Sequence, residues 1–209
     1  MLAKLRGARM NKPANNMLGD EDIRPALRSH LLAKHAREAE TVVLEELGIC
    51  CGQVRVDLAV VNGSIHGYEI KSDRDSLRRL GTQVDLYSRV LDQATLVVGE
   101  RHLSEAMEFV PFWWGILRVE PASRSLRFKT ERRGIRNPRR DPRSLVELLW
   151  LDDAIALLEQ DNAARGVRGK PRRIVWDRIC EHFDVDEIAA VVRGHLKARA
   201  ERTCNPRPS

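Results

Sequence analysis

The segment from Val54 to Lys71 constrains the fold of this chain more than any other part of the sequence. It reads VRVDLAVVNGSIHGYEIK: an apolar strand, a turn containing glycine, and a second apolar strand. Asp57 lies on the first strand, and Glu69 and Lys71 lie two positions apart on the second. Side chains at positions i and i+2 of a strand point to the same face, so Glu69 and Lys71 project together while Ile70 turns into the core. The segment predicts a hairpin that presents two acids and an ammonium group.

The length of the turn decides whether the two acids share a face. A regular two-residue turn at Asn62-Gly63 would place Asp57 and Glu69 on opposite faces of the sheet. A three-residue loop of residues 61–63, with its glycine in the left-handed conformation, restores the common face. A bulge at His66-Gly67 would have the same effect. A shared carboxylate site therefore predicts one of these two departures from the regular hairpin.

This hairpin and the segments after it resemble the core of the PD-(D/E)XK nuclease superfamily. Asp57 is separated by eleven residues from an E-x-K motif, and the helix predicted from Ser76 to Leu91 carries a Q-x-x-x-Y element similar to that of RecB-type members. The apolar run Ala94–Gly99 predicts a buried strand. Val56 stands where the family motif has proline. The resemblance covers about half of the chain and extends to a bacterial DNA-repair endonuclease-like branch.

The resemblance implies a fold and an activity. The fold is α/β, with a restriction-endonuclease-like mixed sheet (α-β-β-β-α-β), an added hairpin at Ile116–Val119 and Leu126–Thr130, and a helical C-terminal part. The activity is Mg²⁺-dependent hydrolysis of phosphodiester bonds in DNA, with Mn²⁺ as a substitute ion. Asp57, Glu69 and the backbone carbonyl of Ile70 would bind the metal. Lys71 would orient the attacking water or stabilise charge in the transition state.

Further residues are candidates for the same site. An additional acid on the preceding strand is either Glu45 or Glu46. We favour Glu46 because the sequence around it resembles that of the endonuclease-like branch. Gln83 and Tyr87 lie one helical turn apart and could support the site or contact a phosphate, or serve as ordinary polar and packing residues. The helical His35 resembles the histidine of RecB-type sites, although a lone helical histidine is more often a surface or packing residue.

Positive charge is concentrated in the second half of the chain. The net charge is +6, and residues 118–143 contain ten Lys or Arg against three acids. Such a concentration favours a polyanionic partner, because neutralising phosphates releases counterions. We therefore expect DNA as the partner, bound by Arg132, Arg133, Arg139 and Arg140. The four cysteines lack the spacing of a zinc site or a disulfide framework, which fits a reducing cytoplasm.

The sequence predicts three regions. Residues 1–20 form a disordered basic tail, residues 21–135 the nuclease-like core, and residues 136–209 a basic linker followed by a helical cap. Helices are expected at Ser144–Gln160, Arg172–Phe183 and Asp186–Ala200, and the last two could instead form a DNA-reading helix-turn-helix. No transmembrane helix is predicted. The sequence leaves open whether the protein forms a homodimer or a complex with a protein partner.

Two other interpretations of the hairpin remain. The first is a surface hairpin in which Glu69 pairs with Lys71 or with Arg55. The second is a catalytically inactive nuclease fold that binds nucleic acid or serves as an assembly module in a bacterial defence or repair system. Intact Asp57, Glu69 and Lys71 favour the active enzyme.

Overall fold

Six strands form one mixed sheet in which strands adjacent in sequence are adjacent in space. The structure, a computed structural model, describes residues 17–123 and 125–204. Neighbouring strands are antiparallel except for the third with the fourth and the fourth with the fifth, which are parallel. The strands are β1 (Val42–Ile49), β2 (Val54–Val61), β3 (Ile65–Lys71), β4 (Gln93–Val98), β5 (Gly115–Pro121) and β6 (Leu126–Arg132).

Seven α-helices accompany the sheet in the described part of the chain. They are α1 (Asp20–Lys34), α2 (Leu80–Val90), α3 (Leu103–Phe109), α4 (Pro142–Val146), α5 (Leu151–Gln160), α6 (Arg172–His182) and α7 (Val185–Cys204). Short 3₁₀ turns precede α2 at Leu77–Arg79 and α3 at Glu100–His102. The predicted order of helix, three strands, helix and strand is confirmed, and so is the added hairpin, which is formed by β5 and β6. None of the helices described is long and apolar enough to cross a membrane.

The two faces of the sheet pack against different helices. The apolar face of α1, formed by Ile23, Leu27 and Leu31, packs on one side with residues that include Leu58 and Tyr68. The other side packs against α2 and the C-terminal helices in one larger apolar cluster. The sheet therefore separates α1 from the remaining helices.

The β2–β3 hairpin has the three-residue loop that a shared carboxylate site requires. Val61 pairs with Ile65, and the register continues to Leu58 with Tyr68. The loop is thus residues 62–64 rather than the predicted 61–63. Gly63 is not among the described glycines with a positive φ, so the predicted left-handed conformation is wrong. Instead, the side chain of Asn62 closes the loop by accepting a hydrogen bond from the Ser64 N–H at 3.1 Å.

Beyond this pairing, β2 and β3 separate. The first half of β2 pairs with β1, whereas the end of β3 pairs with β4. The register, if continued, would set Asp57 opposite Glu69. The strand alternation is also interrupted there, because Val56 and Ala59 face the same apolar cluster although they are three positions apart. Asp57 and Glu69 therefore lie where the two strands fork.

The segment before α4 is hydrogen-bonded to the end of α2 and forms an ion pair with the residue that precedes β4. The Asn137 side chain donates to the carbonyl oxygens of Ser88 and Leu91, each at 2.8 Å. The Asp92 carboxylate, whose side chain is 6% exposed, accepts the Ile65 N–H at 2.8 Å and pairs with Arg140 at 2.8 Å. Arg193 on α7 approaches the same carboxylate at 3.8 Å. These contacts join the sheet to the C-terminal helices and favour a cap over a separate DNA-reading module.

Two of the predicted segments have different boundaries. Residues 1–16 of the predicted tail lie outside the described residues, but Leu18 is buried and α1 already begins at Asp20, so the end of that segment is structured. The helix predicted from Ser144 to Gln160 is broken into α4 and α5. Trp150 has an extended backbone at the break, and Asp152 and Asp153 in the first turn of α5 favour a new helix N-terminus.

Candidate functional site

A cavity of about 670 Å³ opens at the fork of β2 and β3. One wall is the N-terminal part of α1, a second is the turn that joins β1 to β2, and a third is α2 with the 3₁₀ turn before it. Asp57, Glu69 and Lys71 line the cavity together with Gln83. The three residues of the predicted nuclease motif therefore lie in one cavity.

Glu69 is the centre of the polar contacts in this cavity. Its side chain is 2% exposed. Its Oε1 atom accepts hydrogen bonds from Lys71 Nζ and from Gln83 Nε2, each at 2.5 Å. The Tyr87 hydroxyl contacts Oε2 and also lies 2.9 Å from the carbonyl oxygen of Arg55. The E-x-K pair and the Q-x-x-x-Y element thus converge on one carboxylate.

Burial is the largest influence on the pKa of Glu69 and of Tyr87. Removal from water raises the pKa of Glu69, and the nearby Asp57 carboxylate raises it further, while Lys71 acts in the opposite direction. Burial and the charge on Glu69 also raise the pKa of Tyr87, which therefore keeps its proton. Tyr87 is consequently a hydrogen-bond donor in this site and not a phenolate.

Asp57 lies in the fork with each carboxylate oxygen bonded. Oδ2 accepts the Ile70 N–H at 2.7 Å, and Oδ1 accepts a hydrogen bond from Arg24 at 2.7 Å. Burial raises the pKa of Asp57, while the Ile70 N–H and Arg24 oppose that rise. The Ile70 N–H is therefore next to the Asp57 carboxylate, while the Ile70 carbonyl stays a predicted metal ligand.

Arg24 is a residue of this cavity that the sequence did not reveal. Its guanidinium donates to Asp57, to Glu46 Oε1 at 2.7 Å and to Asp20 Oδ2 at 3.0 Å. Burial alone would lower the pKa of Arg24, but Asp20 and Asp57 raise it above its usual value. The guanidinium thus pairs with one carboxylate each from α1, β1 and β2 and compensates one of their three charges. The only sequence signal is its place beside the buried Ile23 on the amphipathic first helix.

The structure places Glu46, rather than Glu45, in the cavity. Glu45 pairs with Arg28 at 2.8 Å outside it. Glu46 has a left-handed backbone with φ of 52°, which is uncommon for a residue with a side chain. The ladder between β1 and β2 is interrupted at this residue, where the register would set it opposite Asp57. This irregularity brings Glu46 to Arg24 and to the fork.

Three of the predicted site residues lie elsewhere. His35 is 3.0 Å from Glu38 and lines a different cavity. Arg132 donates to three backbone carbonyls, including that of Trp114 at 2.8 Å. The Arg140 side chain is 5% exposed and pairs with Asp92 and Asp186. These two arginines thus have partners within the fold, and their predicted role in binding nucleic acid stays a prediction; Arg133 and Arg139 are exposed.

The cavity has the donor chemistry of a site for a hard divalent cation. Carboxylate oxygens of Asp57, Glu69 and Glu46 and the backbone of Ile70 are the oxygen donors that Mg²⁺ prefers. Within the described residues, Gln83 Oε1 is a buried acceptor without a hydrogen-bond donor. The same part of the chain holds no preformed group of three or more His, Cys, Asp or Glu residues arranged to bind a metal. Asp57 Oδ1 becomes available to a cation only if Arg24 releases it.

Comparison with known proteins shows relatives of this chain. A phage relative, Protein cII of Enterobacteria phage P4, is 30% identical over 118 residues. The aligned part is 56% of this chain and 44% of that protein, so the chain spans less than half the length of its curated relative. A solved structure of a protein of unknown function from Silicibacter pomeroyi matches with a TM-score of 0.41 and 18% identity, covering 81% of this chain and 98% of the other.

A family model covers much more of the sequence. The model described as Bacteriophage P4 protein cII matches residues 13–205, which include all the described strands and helices. The matched region contains every residue of the cavity. The chain therefore belongs to the Bacteriophage P4 protein cII family.

Proposed function

We propose that the chain is a metal-dependent nuclease that hydrolyses phosphodiester bonds in DNA, with the restriction-endonuclease-like core that its sequence resembles. One observation carries this proposal. Lys71, Gln83 and Tyr87 all contact the carboxylate of Glu69. Two motifs from separate parts of the sequence meet at one group, which a surface hairpin with a simple ion pair would not require.

The chain's own residues have distinct tasks in this proposal. Lys71 is held by Glu69, with its ammonium group fixed beside the fork. From there it can stabilise the negative charge that develops on the phosphoryl oxygens in the transition state. Gln83 and Tyr87 hold Glu69 in place, and the Ile70 N–H does the same for Asp57. The carboxylates are thus oriented before any substrate binds, which lowers the cost of assembling the site.

A divalent ion held by Asp57, Glu69 and the Ile70 carbonyl, either Mg²⁺ or Mn²⁺, would supply Lewis-acid polarisation of the phosphate and a more acidic water. Glu46 is the additional acid available to such a site. Arg24 has to leave Asp57 Oδ1 and can remain on Asp20, to which it also donates.

Arg24 also supports a second candidate function. With the guanidinium on Asp57 and Glu46, part of the negative charge of the carboxylates is compensated without any metal. A protein that keeps this arrangement would be an inactive nuclease fold that binds nucleic acid or acts as an assembly module. The two candidates differ in one measurable property, which is cleavage that depends on a divalent ion.

The test is cleavage of supercoiled plasmid, linear duplex and single-stranded DNA with Mg²⁺, with Mn²⁺ and with chelator. The nuclease should cut at least one of these substrates with either ion and none with chelator. Lys71→Arg should lose about 10²–10³-fold in rate, because a delocalised guanidinium cannot replace a compact ammonium group. Lys129→Arg is the matched control, since Lys129 is exposed on β6 away from the cavity.

The outcomes separate the two functions. Cleavage that persists in chelator, or that Lys71→Arg leaves unchanged, would refute the proposed site. Binding of DNA without cleavage by any metal would favour the inactive module.

A further inference from the structure

Two arginines on different elements around the cavity have none of the acidic partners that occupy the other basic groups there. Arg55 on β2 and Arg79 in the 3₁₀ turn before α2 both line the cavity and are exposed. The ion pairs and side-chain hydrogen bonds found in the described part of the chain include neither guanidinium. In the same cavity, Arg24 and Lys71 are bonded to carboxylates. Arg55 and Arg79 are therefore the cations at this site that stay available to an external anion.

Both arginines lie close to α2 or to a residue that contacts it. Gln83 and Tyr87 on this helix contact Glu69, and the Tyr87 hydroxyl also lies 2.9 Å from the carbonyl oxygen of Arg55. The Arg55 backbone is thus next to the Tyr87 hydroxyl. Arg79 precedes Gln83 by one turn and Tyr87 by two turns, so at 1.5 Å per residue the backbones of Arg79 and Tyr87 are on the order of 12 Å apart along the helix.

Glu69 is close to the part of the fold that carries each arginine. It contacts Gln83, one turn after Arg79, and the Tyr87 hydroxyl that lies beside the Arg55 carbonyl oxygen. The acids of the cavity would repel a polyanion everywhere except where a cation compensates them. Two exposed arginines near an acidic centre can hold phosphates of a nucleic-acid strand next to the one placed at that centre.

We propose that Arg55 and Arg79 bind backbone phosphates of the nucleic-acid strand next to the one held at Glu69 and Asp57. This inference rests on the proposed function for the identity of the ligand. It moves the binding surface from the basic stretch of residues 118–143 to the mouth of the cavity. The two arginines position the strand and take no part in the chemistry.

The experiment measures binding of fluorescein-labelled duplex and single-stranded DNA by anisotropy, without divalent ions, from 50 to 200 mM salt. Each phosphate contact contributes about 0.9 to the slope of log K against log salt on duplex DNA, and about 0.7 on a single strand. Loss of both contacts in Arg55→Gln/Arg79→Gln should flatten the duplex slope by about 1.8. Over this fourfold range of salt, the affinity of the variant should fall about 12-fold less than that of the parent.

The matched control is Arg133→Gln/Arg139→Gln, which removes two exposed arginines of the basic stretch that lie outside this cavity. It should leave the slope unchanged. A flattened slope in the control with an unchanged slope in Arg55→Gln/Arg79→Gln would overturn the inference, and so would an absence of any DNA binding by the parent. The result is independent of turnover: cleavage with an unaltered slope refutes only the phosphate contacts, and a flattened slope without cleavage refutes only the enzyme.

Discussion

Replacing Arg24 by methionine should destabilise the protein when no divalent ion is present. The Arg24 and Asp57 side chains are 22% and 17% exposed, so the pair is mostly shielded from water. Removing one partner of a fully buried pair costs about 3–5 kcal/mol, because the other charge is left uncompensated. The remaining exposure and the Ile70 N–H on Asp57 reduce this cost. We expect a loss of about 2–3 kcal/mol in the free energy of unfolding, or roughly 4–12 °C in Tm for a chain of this size.

The assay is thermal unfolding of parent and variant in chelator and in a series of Mn²⁺ concentrations. A ligand that binds only the folded state stabilises it by about 2.7 kcal/mol at one hundred times its Kd. If Arg24 competes with the ion for Asp57, the variant should bind Mn²⁺ more tightly. It should therefore gain more in Tm than the parent at the same concentration of Mn²⁺.

Arg28→Met is the matched control, because Arg28 lies one turn further along the same helix and forms an ion pair with Glu45 in which both side chains are 46% exposed. An exposed pair of this kind contributes about 1 kcal/mol or less. If Arg24→Met is no less stable than Arg28→Met in chelator, the counter-charge role of Arg24 is refuted. Equal Mn²⁺-induced shifts in parent and variant would refute competition with the metal.

Two other perturbations test the electrostatics of the sheet. Glu69→Ala leaves the buried Lys71 without its carboxylate and should lower the free energy of unfolding in urea by about 3–5 kcal/mol. The double variant Glu69→Ala/Lys71→Met should be more stable than Glu69→Ala alone. A double variant that is less stable would contradict this. Burial lowers the pKa of His66 to about 3 from 6.5, so below pH 6.5 the unfolded chain binds a proton that the folded protein does not. The free energy of unfolding should then decrease as the pH is lowered, by up to about 1.4 kcal/mol per pH unit. In thermal unfolding, His66→Gln should show a shallower decrease between about pH 6.5 and 5. Parallel declines would show that His66 does not contribute.

The sequence predicted the strands well, because local alternation determines them, whereas contact of Gln83 and Tyr87 with the site was one of several alternatives that it left open. The apolar strands β2 and β3 begin and end where the pattern indicated. The need for Asp57 and Glu69 to meet predicted a three-residue loop, although side-chain bonds of Asn62 rather than a left-handed glycine close it. The period of α2 placed Gln83 and Tyr87 on one side of the helix, where both reach Glu69.

The role of each arginine could not be predicted, because it depends on contacts between distant segments. Arg24 lies 33 residues before Asp57 in the sequence, and nothing in its surroundings indicates that α1 begins at the fork. Arg132 and Arg140 belong to a basic stretch, yet one binds backbone carbonyls and the other a buried aspartate. A run of like charges reveals composition, whereas only the fold reveals which charges are already neutralised.

Asp92 limits how the C-terminal helices can be exchanged in evolution. Its carboxylate has cationic partners at Arg140 and Arg193, both in the part of the chain that follows the sheet. A recombination event that replaced this part with one lacking those arginines would leave a buried carboxylate without positive charge, at a cost of several kcal/mol. We therefore expect the sheet and its C-terminal helices to be inherited as one unit, and relatives that differ in the second half to differ also at the residue in place of Asp92.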